Sequence, residues 1–156
     1  MKGVVIYDTT YGNTKKIAET ITDTPKKSGV KVNIFHVKDV KELSGDYDFL
    51  MLGSPTKIGT MSWAVRSFIG KKIKSEEWAN KPFAAFDTEL ESVMKKGGRS
   101  ATEKISEKLK NKGLKQLQPA LKILVLGMKG PLKDGEIEKA KEYAKSLVSE
   151  LKGIGK

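Results

Sequence analysis

Gly3-Val4-Val5-Ile6-Tyr7-Asp8-Thr9-Thr10-Tyr11-Gly12-Asn13-Thr14-Lys15-Lys16-Ile17-Ala18 joins a short apolar run to a turn dense in hydroxyls and amides, and that turn opens onto a helical pattern. Residues 3–7 read as a buried strand, and Ile17, Ala18 and Ile21 recur at helical spacing. The first N–H groups of a helix have no intrahelical acceptor, and the helix dipole makes that end positive. Together with the side chains of Thr9, Thr10, Asn13 and Thr14 and the backbone of Tyr11 and Gly12, they converge on a volume that suits a phosphate group. An ordinary capped turn uses the same residue types. Two threonines ahead of Gly-Asn-Thr at a strand-to-helix junction favour the anion. The Walker and G-x-G-x-x-G spacings are absent, which sets nucleoside triphosphates and dinucleotides behind.

Working outward, apolar runs recur at Val30 to Val37, Phe49 to Leu52, Pro82 to Phe86 and Leu121 to Leu126, and helical patterns lie between them. Ile105 and Leu109 mark one helical face, and Ile137, Ala140, Ala144, Leu147, Val148 and Leu151 mark another. A further helix over 63–70 starts after Ser62 as its N-cap. Pro25 is expected to end or kink the first helix early, and Asp39-Val40-Lys41-Glu42 to start a single helical turn as a capping box. Five strands alternating with helices predict an α/β fold, a doubly wound three-layer sandwich around a parallel sheet with right-handed crossovers. Residues 1–156 are expected to form one domain, with no repeat or linker.

Ligands of such sheets sit beyond the carboxyl ends of the strands. Three segments follow strands there: Thr9 to Thr14, Gly53-Ser54-Pro55-Thr56-Lys57-Ile58-Gly59-Thr60, and Asp87-Thr88-Glu89-Leu90-Glu91-Ser92. The first resembles the phosphate loop of the flavodoxin family, in which hydroxyl residues precede Gly-Asn-Thr and the phosphate of flavin mononucleotide (FMN) is held without a P-loop lysine. The segments Gly97-Gly98-Arg99-Ser100-Ala101 and Gly127-Met128-Lys129-Gly130-Pro131-Leu132-Lys133-Asp134-Gly135-Glu136 are similar to those of a flavodoxin-like branch. The resemblance implies strand order 2-1-3-4-5, FMN as cofactor, and electron transfer between redox partner proteins. It places the phosphate on Thr9 to Thr14 and the flavin ring between residues 55–60 (Pro55, Thr56, Lys57, Ile58, Gly59, Thr60) and residues 87–89 (Asp87, Thr88, Glu89).

The chain departs from the family pattern in its aromatics. Lys57 and Ile58 stand where many members carry a ring-stacking residue, leaving Ile58, Met61 or Trp63 as substitutes, and no aromatic occurs between Asp87 and Lys112. A ring bound there would be uncovered on one side or covered by a partner. Two rivals stay open on these grounds: an FMN-dependent reductase of a quinone or other small acceptor, and a flavin-free binding module on the same fold.

Composition narrows the chemistry further. The chain has no cysteine, so a disulfide framework, a thiolate metal site and a cysteine nucleophile are excluded. His36 is the only histidine, which leaves no set for a histidine metal cluster or a Ser-His relay, and it reads as a strand residue with a satisfied ring. Asp8 and Asp87, both near carboxyl ends of strands, read as acceptors for loops; no catalytic residue is assigned. Thirty Lys and Arg oppose nineteen Asp and Glu for a formal charge of +11, and every basic residue except Arg66 and Arg99 is a lysine. A dispersed lysine coat is a solvated surface of the kind found in heat-loving organisms, and its partner, if it has one, is expected to be an acidic protein surface in preference to nucleic acid. A strand begins within three residues of Met1 and no apolar run spans a membrane, so the expectation is a cytoplasmic protein with no membrane insertion.

Overall fold

A computed structural model describes residues 1–154. The strands β1 (Lys2–Tyr7), β2 (Lys31–His36), β3 (Phe49–Pro55), β4 (Pro82–Leu90), β5 (Lys115–Gln116) and β6 (Leu121–Val125) form one parallel sheet. Around it lie α1 (Asn13–Lys27), α2 (Trp63–Lys72), α3 (Ser75–Trp78), α4 (Glu91–Met94), α5 (Ala101–Asn111) and α6 (Glu136–Ile154). The sheet order is 2-1-3-4-5, with the fifth place shared by two pieces: β5 pairs with the start of β4 and β6 with its end. Phe83 pairs with Gln116 and Phe86 with Leu121, so four residues on the outer strand face two on β4.

Alternation along the strands builds the two cores. Val4, Ile6, Leu50, Leu52 and Ala85 point to one face, where Val65, Phe68 and Ile69 of α2 and Ile105 and Leu109 of α5 cover them. Val5, Tyr7, Met51, Ala84 and Phe86 point to the other, under Ile17, Ala18 and Ile21 of α1 and Ala140, Ala144, Leu147 and Leu151 of α6. Burying each large aliphatic or aromatic side chain contributes about 1.5–3 kcal/mol, which fixes the strand register because a one-residue slip would exchange the faces. Close strand packing also uses missing side chains: Gly53 sits beside its pairing partner Phe86, whose ring occupies the space of a Cβ.

Three local expectations are corrected. Helix α1 runs through Pro25 to Lys27. Pro25 lies in the last turn, its ring is buried, and its carbonyl accepts the N–H groups of Ser28 and Val30 at 3.1 and 2.9 Å, so the chain gains a C-terminal closure in place of a kink. No capping box forms at Asp39: a 3-10 turn occupies Val37–Asp39 and is capped from upstream, with His36 Nδ1 accepting the Lys38 N–H at 3.1 Å. Finally, Asp87, Thr88 and Glu89 are not a loop. They continue β4 to Leu90, paired to Lys122, Ile123 and Leu124 of β6. Ser62 caps α2 as expected, accepting from Val65 N–H at 3.3 Å.

Candidate functional site

Helix α1 begins directly after Gly12, whose φ of 91° is a conformation that a residue without Cβ adopts at little cost. That turn is internally braced: Thr9 N–H donates to Asp8 Oδ1 and Gly12 N–H to Thr9 Oγ1, each at 2.9 Å. Asp8 in turn lies 3.4 Å from His36 Nε2, whose ring stands edge-on to Tyr7, so the histidine is part of the brace. The N–H groups of Thr10, Tyr11, Asn13, Thr14 and Lys15 meet no acceptor among the described residues. They form a cluster of unmet donors at the positive end of a fifteen-residue helix.

The end of β4 closes this cluster from below. Thr14 Oγ1 and Thr88 Oγ1 lie 2.9 Å apart and buried, and whichever hydroxyl accepts keeps its own proton for a further acceptor. The third wall is the turn after β3. Lys57 and Thr60 exchange backbone hydrogen bonds at 2.8 and 3.1 Å around Ile58 and Gly59, whose φ values of 49° and 75° define a tight turn of the primed kind. Glycine suits such a turn, whereas Ile58, β-branched and left-handed, is strained there, and its side chain is fully exposed at the rim. Lys57 reaches back across the opening, its Nζ donating to Thr10 Oγ1 at 3.0 Å.

Thr9, Thr10, Tyr11, Asn13, Thr14, Pro55, Thr56, Lys57, Ile58, Thr88 and Glu89 thus line one cleft of about 430 Å³. Of the other residues picked from sequence, Gly12, Gly59 and Thr60 shape the turns, and Asp87 lies buried on the α5 side of β4, its Oδ2 accepting the Thr102 N–H at 3.0 Å. The Asn13 amide lies beside Gly130, and Thr56 is engaged, its Oγ1 accepting the Ala101 N–H at 3.1 Å. Leu90, Val125 and Met128 complete the lining; Leu90 and Met128 lie in segments that the sequence singled out, but none of the three was assigned to the site. The signal for Met128 was its place just beyond the last strand, where ligand-facing residues collect. Trp63, 75 % exposed, faces away from this cleft into a neighbouring groove with Lys38, Lys71 and Lys72.

Glu89 is the electrostatic exception. It is 3 % exposed, and neither carboxylate oxygen has a hydrogen-bond partner among the described residues. Burial, with the charges of Asp87 and Glu103 adding to it and Lys122 opposing, pushes its pKa up to about 7. Burial likewise pushes the Asp87 carboxyl up. Among the described residues, no group of three or more His, Cys, Asp or Glu is placed to hold a metal ion, and no helix is long and apolar enough to cross a membrane.

A family model described as a flavodoxin domain matches residues 4–128. The chain belongs to the flavodoxin family. A flavodoxin of Aquifex aeolicus (strain VF5) is 42 % identical over 69 residues, a stretch that spans 43 % of this chain and 37 % of that relative. Among solved structures, a flavodoxin from the domain Archaea superimposes with a TM-score of 0.81 at 25 % identity, covering 97 % of this chain and 99 % of its own. Oxidised flavodoxin 1 of Bacillus cereus shares the fold at a TM-score of 0.79 and 22 % identity, covering 96 % and 98 %.

Proposed function

We propose that the chain holds FMN in the cleft between the Thr9–Thr14 turn, the Pro55–Thr60 turn and the end of β4, and passes electrons between protein partners. The observation that carries this reading is the cluster of unmet N–H donors at the start of α1, joined by Lys57 from the opposite wall. A phosphate dianion satisfies donors of this kind by charge-assisted hydrogen bonds, and the residues present fit the group. Thr9, Thr10, Asn13 and Thr14, with the backbone from Thr10 to Lys15 and the Lys57 ammonium from the opposite wall, would hold the phosphate; Ile58, Leu90 and Met128 would border the ring. FMN supplies the redox chemistry, and the chain's share is to bind it, orient it and leave an edge open to partners.

The surface around the cleft fits partners that carry an acidic docking surface. Lys38, Lys57, Lys71 and Lys72 line the groove beside the cleft, and Tyr11, Ile58, Trp63 and Met128 expose apolar surface around the two openings. A reductase of a small acceptor is the second reading, favoured by the absence of an aromatic from Asp87 to Lys112, so that no aromatic of that stretch would cover a bound ring. Oxidation of a nicotinamide donor by the purified protein alone, with a quinone present, would select it over the electron carrier.

The test of the site compares FMN with riboflavin by quenching of flavin fluorescence. The wild-type chain is expected to prefer FMN, and Lys57→Ala to lose about tenfold to hundredfold of that preference, as one charge-assisted hydrogen bond contributes roughly 1.5–3 kcal/mol. Riboflavin affinity should hardly change. Equal affinity of the wild-type chain for the two flavins would remove the phosphate from this turn.

A further inference from the structure

A carboxyl group buried without a partner is costly in its charged form, and carboxyls of this kind that line a cleft are candidates for proton exchange. Glu89 meets that description inside the cleft wall: it lines the opening, is 3 % exposed, and leaves both oxygens unpaired. The surroundings hold it near balance. Asp87 on the same face of β4 and Glu103 on α5 oppose its ionisation, and Lys122 on β6 favours it. Lys122 is itself drawn to Glu103 Oε1 at 2.5 Å, which blunts both of those charges at Glu89. On α4, Glu91 is engaged by Lys95 at 2.9 Å and by Lys133 at 3.4 Å, and on the facing turn Lys57 is directed to Thr10. No cation is therefore committed to Glu89 among the described residues.

Resting on the FMN reading above, we propose that Glu89 takes up a proton when an electron enters the cleft, so that reduction of the bound flavin is linked to protonation of this side chain. The balance is one electron from a reduced partner protein to the flavin and one proton from water to the Glu89 carboxylate, giving the neutral acid. Negative charge added nearby raises the proton affinity of a carboxylate, and by linkage the protonated carboxyl makes the flavin easier to reduce. Because the group titrates near neutrality, a modest change in local charge moves it across the working range.

The experiment is spectroelectrochemical titration of FMN-loaded wild-type protein and Glu89→Gln from about pH 5.5 to about pH 9. Glutamine copies the neutral acid in shape, so the two proteins should agree at the acid end and diverge as pH rises. At the alkaline end the wild-type reduction equilibrium is expected to be at least tenfold less favourable, ~59 mV for a one-electron step. Protonation of the flavin itself cancels in this difference. A difference that is zero or the same at every pH would overturn the proposal, since a purely structural role of Glu89 has no reason to follow pH.

Carbon NMR of the Glu89 carboxyl provides the second readout. Its titration midpoint should rise by about one unit or more between oxidised and reduced protein, and coincident midpoints would sink the linkage. A protein that binds and reduces FMN with no pH-dependent difference loses this inference alone; a protein that binds no FMN loses the function reading and this with it.

Discussion

Ile58 holds φ at 49° with its side chain wholly in solvent, an arrangement with a cost and no packing within the chain to offset it. A non-glycine residue in the left-handed region is strained by about 1–3 kcal/mol, and a β-branched one has no local hydrogen bond to soften this, whereas asparagine has. Retention of isoleucine at the rim makes sense if its apolar surface meets a flat ligand. Ile58→Asn is accordingly expected to raise the stability of the empty protein by about 1 kcal/mol and to weaken FMN binding severalfold. Urea unfolding and flavin titration on the same preparation check both signs. Stabilisation without loss of affinity would show that Ile58 covers nothing.

Strands β3 and β4 carry the cleft on their carboxyl ends, so their spacing sets its width. Gly53 and Phe86 are paired across them, and a Cβ on Gly53 would lie 2.1 Å from the Phe86 ring. Gly53→Ala must therefore push the ring or part the strands, and overpacking of this kind costs about 1–3 kcal/mol. Chemical denaturation should show that loss, together with weaker flavin binding as the Pro55–Thr60 turn shifts. The sequence made the β1–α1 junction and both amphipathic faces legible because there hydropathy and burial agree. It hid the end of β4, since Asp87-Thr88-Glu89 has the polarity of a loop and is kept in the sheet by pairing to β6 and by the Thr14–Thr88 contact, neither of which leaves a local trace. The two-residue β5 escaped for a related reason: Lys115-Gln116 is too short and polar to show a period. Within the site, the hydroxyls of the β1–α1 turn could be read from their spacing, but the reach of Lys57 to Thr10 depends on how two turns far apart in sequence meet.

The balance of charge over the folded chain governs its response to pH. Asp87 and Glu89 hold their protons more tightly when folded, Glu89 up to about 7 from an ordinary 4.5. Between those two values the native state binds more protons than the unfolded chain, so stability falls as pH rises through the window, by at most about 1.4 kcal/mol per pH unit for one group. Glu91, held low by Lys95 and Lys133, acts with the opposite sign and only below the ordinary carboxylate range. Urea midpoints from about pH 5 to about pH 8 should therefore decline in the wild-type protein and decline less in Glu89→Gln; parallel curves would show that Glu89 is not a group that titrates on unfolding. The interrupted fifth strand bears on a different hazard. An outermost strand offers a row of free amides and carbonyls to any passing chain, and long, straight borders invite stacking into fibres. Here that border is interrupted between Gln116 and Leu121: Leu117 still donates its N–H to the Phe83 carbonyl at 2.9 Å, and Gln118, Pro119 and Ala120 then leave the ladder, Pro119 having no amide hydrogen to offer. The interruption thus leaves a passing chain less to pair with along this edge of the sheet, while the opposite edge is the continuous β2.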